Sequence, residues 1–118
     1  MIKSFLDLDV YKESFQLALE IEQIIKAFPK SEQYALTSQF RRSVTSIAAN
    51  IAEGFKKKGR ADKARFLNVA QGSLEETRYY LILIQDLEYA ETSKLMIQIE
   101  EISKLLAAYT KAILNSAS

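Results

Sequence analysis

Between Leu36 and Phe55, apolar side chains recur at alternating spacings of four and three residues. At 3.6 residues per turn, this spacing places them on one stripe of a helix: Leu36, Phe40, Val44, Ile47, Ile51 and Phe55. Small residues flank the stripe, among them Ala48, Ala49 and Ala52. The segment therefore predicts the central helix of a bundle, with small flanks that a neighbouring helix or another subunit could approach closely.

The rest of the chain predicts three more helices. The first spans residues 9–28, with Asp9 as its N-cap and Pro29 ending it. The third spans about 61–87, and the fourth carries an apolar seam from Leu95 to Ile113 with the same four–three alternation. No segment alternates like a strand. The 118 residues thus predict one domain, 1–118, that is all-α and forms an antiparallel up-down-up-down four-helix bundle.

Four residues carry expectations about the details of this bundle. Thr37 is expected to cap the central helix, and either Gly54 or Gly59 to end it in a left-handed conformation, with Gly59 favoured because Phe55 still fits the stripe. Gly72, inside the third helix, is expected to mark a tight helix crossing, because glycine costs about 1 kcal/mol relative to alanine there.

A second apolar edge lies on the first helix. Phe15 and Leu19 point away from its main stripe, which consists of Val10, Leu17, Ile21, Ile24 and Phe28. One bundle core does not need both edges. The second edge either faces another subunit or belongs to a wide core face, and the sequence leaves both interpretations open.

Composition argues against catalysis. The chain has no histidine and no cysteine, so it lacks the commonest general base, thiolate chemistry and most zinc ligands. Glu53, Glu75 and Glu76 lie off the core stripes and are expected to form surface ion pairs. The glycines match no phosphate-binding loop. We therefore expect no enzyme, no cofactor and no metal, and with no export signal or membrane span in view we expect a cytoplasmic protein.

Positive charge is concentrated after the central helix, although the formal net charge is only +1. Six cations fall within ten residues: Lys56, Lys57, Lys58, Arg60, Lys63 and Arg65. Such a run is usually a solvated surface, but Lys63 and Arg65 are expected near a helix N-terminus, where positive charge gains nothing from the helix dipole. The sequence therefore leaves two interpretations open, a solvated surface and a site for an outside anion. Nucleic-acid phosphate is the favoured partner, and Arg41 and Arg42 could extend the surface. Acidic residues gather at the expected opposite end.

Several segments together resemble a known family. The matching residues are Phe28 and Pro29, the helix start at 34–37, the Arg41–Arg42 pair, residues 46–54, and Phe66, Leu67, Ala70, Gly72, Ser73 and Leu74. They resemble the bacterial four-helix bundle family encoded in intervening sequences of large-subunit (23S) rRNA genes, whose members are often labelled ribosomal proteins. Ala48 departs from this pattern, which commonly has proline there; alanine favours a straighter helix.

The resemblance implies a homo-oligomer. Related proteins are ring-shaped pentamers, including the accessory protein of diversity-generating retroelements, which binds nucleic acid through a basic surface. The implied subunit contacts fit Phe15, Leu19, Ala48, Ala49 and Ala52. Our first hypothesis is therefore a non-enzymatic oligomer that binds RNA or DNA through phosphate contacts. The alternative is a protein–protein adaptor or assembly scaffold without a nucleic-acid role.

Overall fold

A computed structural model describes residues 2–32 and 35–116 of the chain. It contains four α-helices: α1 (Asp9–Ile25), α2 (Ala35–Lys56), α3 (Arg60–Asp86) and α4 (Ser93–Leu114). Short 3₁₀ turns lie at Phe5–Asp7 and Lys30–Glu32. The described residues include no strand, which confirms the all-α prediction. No helix in this part of the chain has the length and apolar character needed to cross a membrane.

The helices form a four-membered ring of contacts. α1 packs against α2, α2 against α3, α3 against α4, and α4 back against α1. Because only short turns join successive helices, each neighbour runs antiparallel to the previous one. The Phe28 ring lies 6.5 Å from Phe40 and 5.7 Å from Tyr89, which brings the first and third turns to the same end of the molecule. The up-down-up-down bundle is therefore confirmed.

One continuous core fills the bundle. The central-helix residues Phe40, Val44, Ile47 and Ile51 are almost completely buried, whereas Leu36 and Phe55 at the two ends of the stripe are partly buried. The other helices contribute further buried side chains, including Leu17, Ile21, Leu67, Leu74, Leu81, Ile84, Ile99, Ile102 and Leu106. Burial of these apolar surfaces is the main force that holds the four helices together.

Helix ends differ from the sequence expectations. The N-cap of α1 is Leu8, not Asp9. Leu8 is a buried apolar residue, and its side chain makes no capping hydrogen bond. The helix ends at Ile25, because the amides of Ala27 and Phe28 bond three residues back at 3.1 Å and tighten the chain into a turn. Thr37 lies inside the first turn of α2, not at its cap. Tyr34, in the expected helix start, lies outside the described residues.

The glycine expectations were also wrong. Gly59 has φ −87° and is the N-cap of α3, so it is not a left-handed residue that ends α2. Gly72 is exposed, and a Cβ there would meet no atom within 4 Å. The close crossing lies at Gly54 instead, where a Cβ would come within 3.3 Å of both the Lys63 carbonyl oxygen and Phe66 Cβ on α3.

Hydroxyl groups connect α2 and α3 inside the bundle. Thr77 Oγ1 lies 3.0 Å from Ser43 Oγ, and Ser73 Oγ lies 2.8 Å from Ser46 Oγ. Asn50 Nδ2 adds a 2.9 Å bond to the Ser46 hydroxyl. These side chains are small, so the two backbones approach closely while the buried polar atoms remain paired. One small-residue flank of the central helix is therefore a helix contact.

Candidate nucleic-acid interface

The basic cluster is built around the three-residue turn between α2 and α3. α2 ends at Lys56 and α3 begins at Arg60, so the six cations lie on two adjoining helix ends and the loop between them. The C-terminal end of α4 lies beside them, because Arg60 contacts the Ser116 carbonyl. We call this end of the molecule, defined by residues 56–65, the basic end.

Two of the six cations bind helix carbonyl groups. Lys63 Nζ donates to the Phe55 carbonyl at 2.8 Å and the Gly54 carbonyl at 3.4 Å, at the end of α2. Arg60 Nη1 donates to the Ser116 carbonyl at 2.6 Å and the Leu114 carbonyl at 3.4 Å, at the end of α4. Carbonyls at helix C-termini lack helical partners and carry partial negative charge. The sequence argument that Lys63 gains nothing locally is therefore wrong, because its ammonium group interacts with the partial negative charge at the C-terminal end of α2.

Lys57 and Arg65 lie against one aromatic ring. Lys57 Nζ is 5.0 Å and Arg65 Cζ is 4.7 Å from the centre of the Phe66 ring. Each also has a loose ion pair, Lys57 with Glu53 at 3.9 Å and Arg65 with Asp62 at 3.6 Å. Such exposed pairs are weak, about 0–1 kcal/mol, so these cations can exchange their carboxylate partners for another anion.

Lys56 and Lys58 are the least committed cations of the basic end. Both are exposed, and neither has a hydrogen bond or ion pair within residues 2–32 and 35–116. They flank Lys57 in sequence and project from the end of the bundle. An anion approaching this end would meet these two ammonium groups without displacing any internal contact.

Arg41 and Arg42 do not join the basic end. Fifteen residues separate Arg41 from Lys56, which is about 22 Å along the helix. Arg41 Nε binds Glu22 on α1 at 2.5 Å, whereas Arg42 Nη2 binds Glu76 on α3 at 3.0 Å. The hydrogen bond from Arg41 lowers the pKa of Glu22 below its usual value, and the same bond raises the pKa of Arg41. The two arginines thus tie α2 to its two neighbours.

The other carboxylates considered in the sequence are ion-paired as expected. Glu75 binds Arg78 at 3.1 Å, Glu76 binds Arg42, and Glu53 lies near Lys57. Within the described ranges, no three Asp, Glu, His or Cys side chains converge in a way that could hold a metal ion.

Three exposed carboxylates lie at the end of the molecule opposite the basic end. Asp86, Glu88 and Glu91 are exposed at the turn between α3 and α4. That turn lies at the opposite end from residues 56–65, and the longest dimension of the molecule is 51 Å. The exposed Lys26, Lys30 and Lys94 lie at that same end and offset its carboxylates, whereas the basic end is much farther away than the roughly 8 Å Debye length at physiological ionic strength.

Four of the five expected subunit-contact residues meet in one shallow apolar groove. Phe15 of α1 and Ala48, Ala49 and Ala52 of α2 line a cavity of about 360 Å³, and Phe5 closes one side of it. Leu19 does not line the groove but continues the same edge of α1; Phe15 is 49% and Leu19 48% exposed. They are therefore not part of a wide core, and the residues that the structure describes leave about half of each side chain exposed.

Sequence reasoning missed the segment that shapes this groove. Phe5 belongs to a 3₁₀ turn closed by a capping box between Ser4 and Asp7. Its ring packs edge-on against Tyr11 at 4.9 Å, and Tyr11 stacks on Phe15 at 6.1 Å. The signal was present as Ser followed three residues later by Asp, a spacing typical of a cap.

Comparison with known proteins agrees with this architecture. The family model described as 23S rRNA-intervening sequence protein matches residues 6–108. A crystal structure from Bacteroides thetaiotaomicron, described as a protein with unknown function from the S23 ribosomal protein family, is 32% identical. The match covers 86% of this chain and 98% of that chain, with a TM-score of 0.79.

No curated protein is significantly similar to the chain in sequence. The descriptions of the matching family and structure name no enzymatic activity. Because the family model spans most of the sequence, the chain belongs to the family of 23S rRNA-intervening sequence proteins.

Proposed function

We propose that this protein is a non-enzymatic, cytoplasmic homo-oligomer that binds RNA or DNA through phosphate contacts at the basic end. It acts as one domain, needs no cofactor or metal, and assembles as a pentamer if it follows the family resemblance. The observation that carries the proposal is the pair Lys56 and Lys58, exposed ammonium groups that have no partner among residues 2–32 and 35–116 and lie beside Lys57 and Arg65. Clustered cations of this kind neutralise phosphates without reading sequence.

The structure divides the eight candidate cations by their present contacts. Lys56, Lys57, Lys58 and Arg65 are the proposed phosphate ligands. Lys56 and Lys58 have no ion pair among the described residues, and Lys57 and Arg65 have only weak ion pairs and a contact with the Phe66 ring. Lys63 donates to carbonyls at the end of α2 and Arg60 to carbonyls at and just beyond the end of α4, and both add positive potential. Arg41 and Arg42 are each paired with a carboxylate, on the α1 side and the α3 side of α2, and would contribute only where a long strand reaches them. In an oligomer, each basic end is repeated, so avidity multiplies the affinity of one copy.

The test is charge reversal at the two unpaired lysines. Lys56→Glu with Lys58→Glu should lower affinity for a single-stranded oligonucleotide about tenfold or more at low salt and should flatten the salt dependence, since fewer counterions are released. Lys94→Glu with Lys104→Glu is the matched control, because these exposed lysines lie on α4 away from residues 56–65 and the change in net charge is the same. Fluorescence anisotropy across a salt series measures both effects. If both variants lost the same affinity, the effect would come from net charge alone, and the assignment of the basic end as the phosphate site would be rejected.

The adaptor hypothesis is favoured by a different observation, the uncovered apolar groove beside Phe15. An adaptor would keep a stoichiometric protein partner after nuclease treatment of a lysate. It would also keep that partner when Lys56 and Lys58 are reversed, because the groove and the basic end use different residues. Retention in both conditions, together with no salt-dependent oligonucleotide binding, would replace our first proposal by the second.

A further inference from the structure

A second groove lies beside the basic end, between the start of α3 and the end of α4. It has a volume of about 570 Å³, within the range of roughly 300–1,000 Å³ typical of small-molecule sites. Its apolar walls include Ala64 and Leu67 from α3 and Ala107 from α4. Arg60 lies at its mouth, because this arginine donates to the carbonyl of Leu114, which also lines the groove.

Uncommitted hydrogen-bonding groups face this groove. The side-chain amides of Asn68, Gln71 and Asn115 line it, and none of them has a hydrogen-bond partner among the described residues. Lys111 also lines the groove, is exposed, and has no ion-pair partner in the same part of the chain. No carboxylate is among the lining residues that the structure describes. A ligand here would therefore meet apolar walls, several donors and acceptors, and positive charge at the rim.

We propose that the groove between α3 and α4 binds an unpaired base of the single strand whose phosphates are held at the basic end. A nucleobase has apolar faces and a polar edge, which matches aliphatic walls combined with free amides. Asn and Gln amides can pair with both the donor and the acceptor on the edge of adenine. Lys111 and Arg60 lie where the flanking phosphates would run. This inference rests on the proposed function and adds to it a preference for single strands that carry bases.

The experiment distinguishes binding of the bases from binding of the sugar-phosphate backbone. Binding is measured by fluorescence anisotropy with a labelled oligoadenylate of about twelve nucleotides, a length typical of single-strand sites, and with an abasic strand of equal length. Wild-type protein should prefer the oligoadenylate about tenfold. Asn68→Ala with Gln71→Ala should bind both strands alike, at the abasic level. The control Gln16→Ala with Gln23→Ala, which removes two exposed amides from α1, should keep the preference.

A second variant tests the groove without removing its amides. Ala107→Trp fills it from α4, where Ala107 is exposed, and should abolish the preference while circular dichroism shows an intact helical fold. Two results would reject the assignment of the groove as a base site while leaving phosphate binding at the basic end intact. The first is equal binding of both strands by wild-type protein, and the second is a preference that survives Asn68→Ala with Gln71→Ala. Failure of both strands to bind would overturn the proposed function itself. If AMP alone bound as tightly as the strand, the occupant would be a free nucleotide and the strand assignment would be rejected.

Discussion

At the scale of single residues, two glycines of the same bundle should respond oppositely to the same substitution. Gly54→Ala places a methyl group 3.3 Å from a backbone oxygen and from Phe66 Cβ, so α3 must move, at a cost of about 1–3 kcal/mol. Gly72→Ala meets open space and should stabilise the helix by about 0.5–1 kcal/mol. Urea unfolding of both variants measures the difference. Equal stability would show that α2 and α3 do not cross closely at Gly54.

Glu88 is the one non-glycine residue with positive φ among the described residues, at 61°. It occupies the left-handed position of a Schellman motif, in which the Tyr89 amide donates to the Ile84 carbonyl and the Glu88 amide donates to the Gln85 carbonyl. A Cβ in that conformation costs about 1 kcal/mol, so Glu88→Gly should raise the free energy of unfolding by about that amount. Glu88→Ala removes the carboxylate but keeps the Cβ; if it stabilised the protein as much, charge rather than backbone strain would be the cause.

At the scale of helix pairs, the buried hydroxyls make a testable connection between α2 and α3. Thr77→Val should cost about 1 kcal/mol, the usual net value of one hydrogen bond. Its coupling to Ser43→Ala in a double-mutant cycle should be smaller, about 0.5 kcal/mol, because Thr77 Oγ1 also lies 2.9 Å from the Ser73 carbonyl and can donate there instead. A coupling above about 1.5 kcal/mol would mean that Ser43 is the only effective acceptor.

The helices and their antiparallel order could be read from the sequence, but most capping residues and the side-chain contacts at the helix ends could not. The four–three alternation from Leu36 to Phe55 predicted α2 to within a residue or two, because a buried stripe requires that period. Gly59 was misassigned because the same residue type suits the end of one helix and the start of the next. The short Phe5–Asp7 turn has no apolar period, so only its capping residues could have indicated it.

At the scale of the whole molecule, the fold determines which cations remain free of internal contacts and can bind an outside anion. The sequence identified the six-cation run, since clustering is visible in a linear chain. It could not show that Lys63 reaches the end of α2 or that Arg60 reaches the end of α4, because those contacts depend on how the helices are placed. Nor could it show that Arg41 and Arg42 are held by Glu22 and Glu76. The proposed phosphate surface is therefore smaller than the sequence suggested, and it lies at one end.

Assembly is the last property to be tested at this scale. If a second copy covers the groove formed by Phe15, Ala48, Ala49 and Ala52, then Ala49→Arg would bury an unpaired charge at the contact, which costs about 2–5 kcal/mol. Light scattering should then show the assembly of wild-type protein replaced by a 13.4 kDa monomer with unchanged helical content. Ala108→Arg is the control, because Ala108 is exposed on α4 and does not line that groove. A monomeric wild-type protein, or an Ala49→Arg variant that assembles normally, would show that this groove is not the contact between subunits.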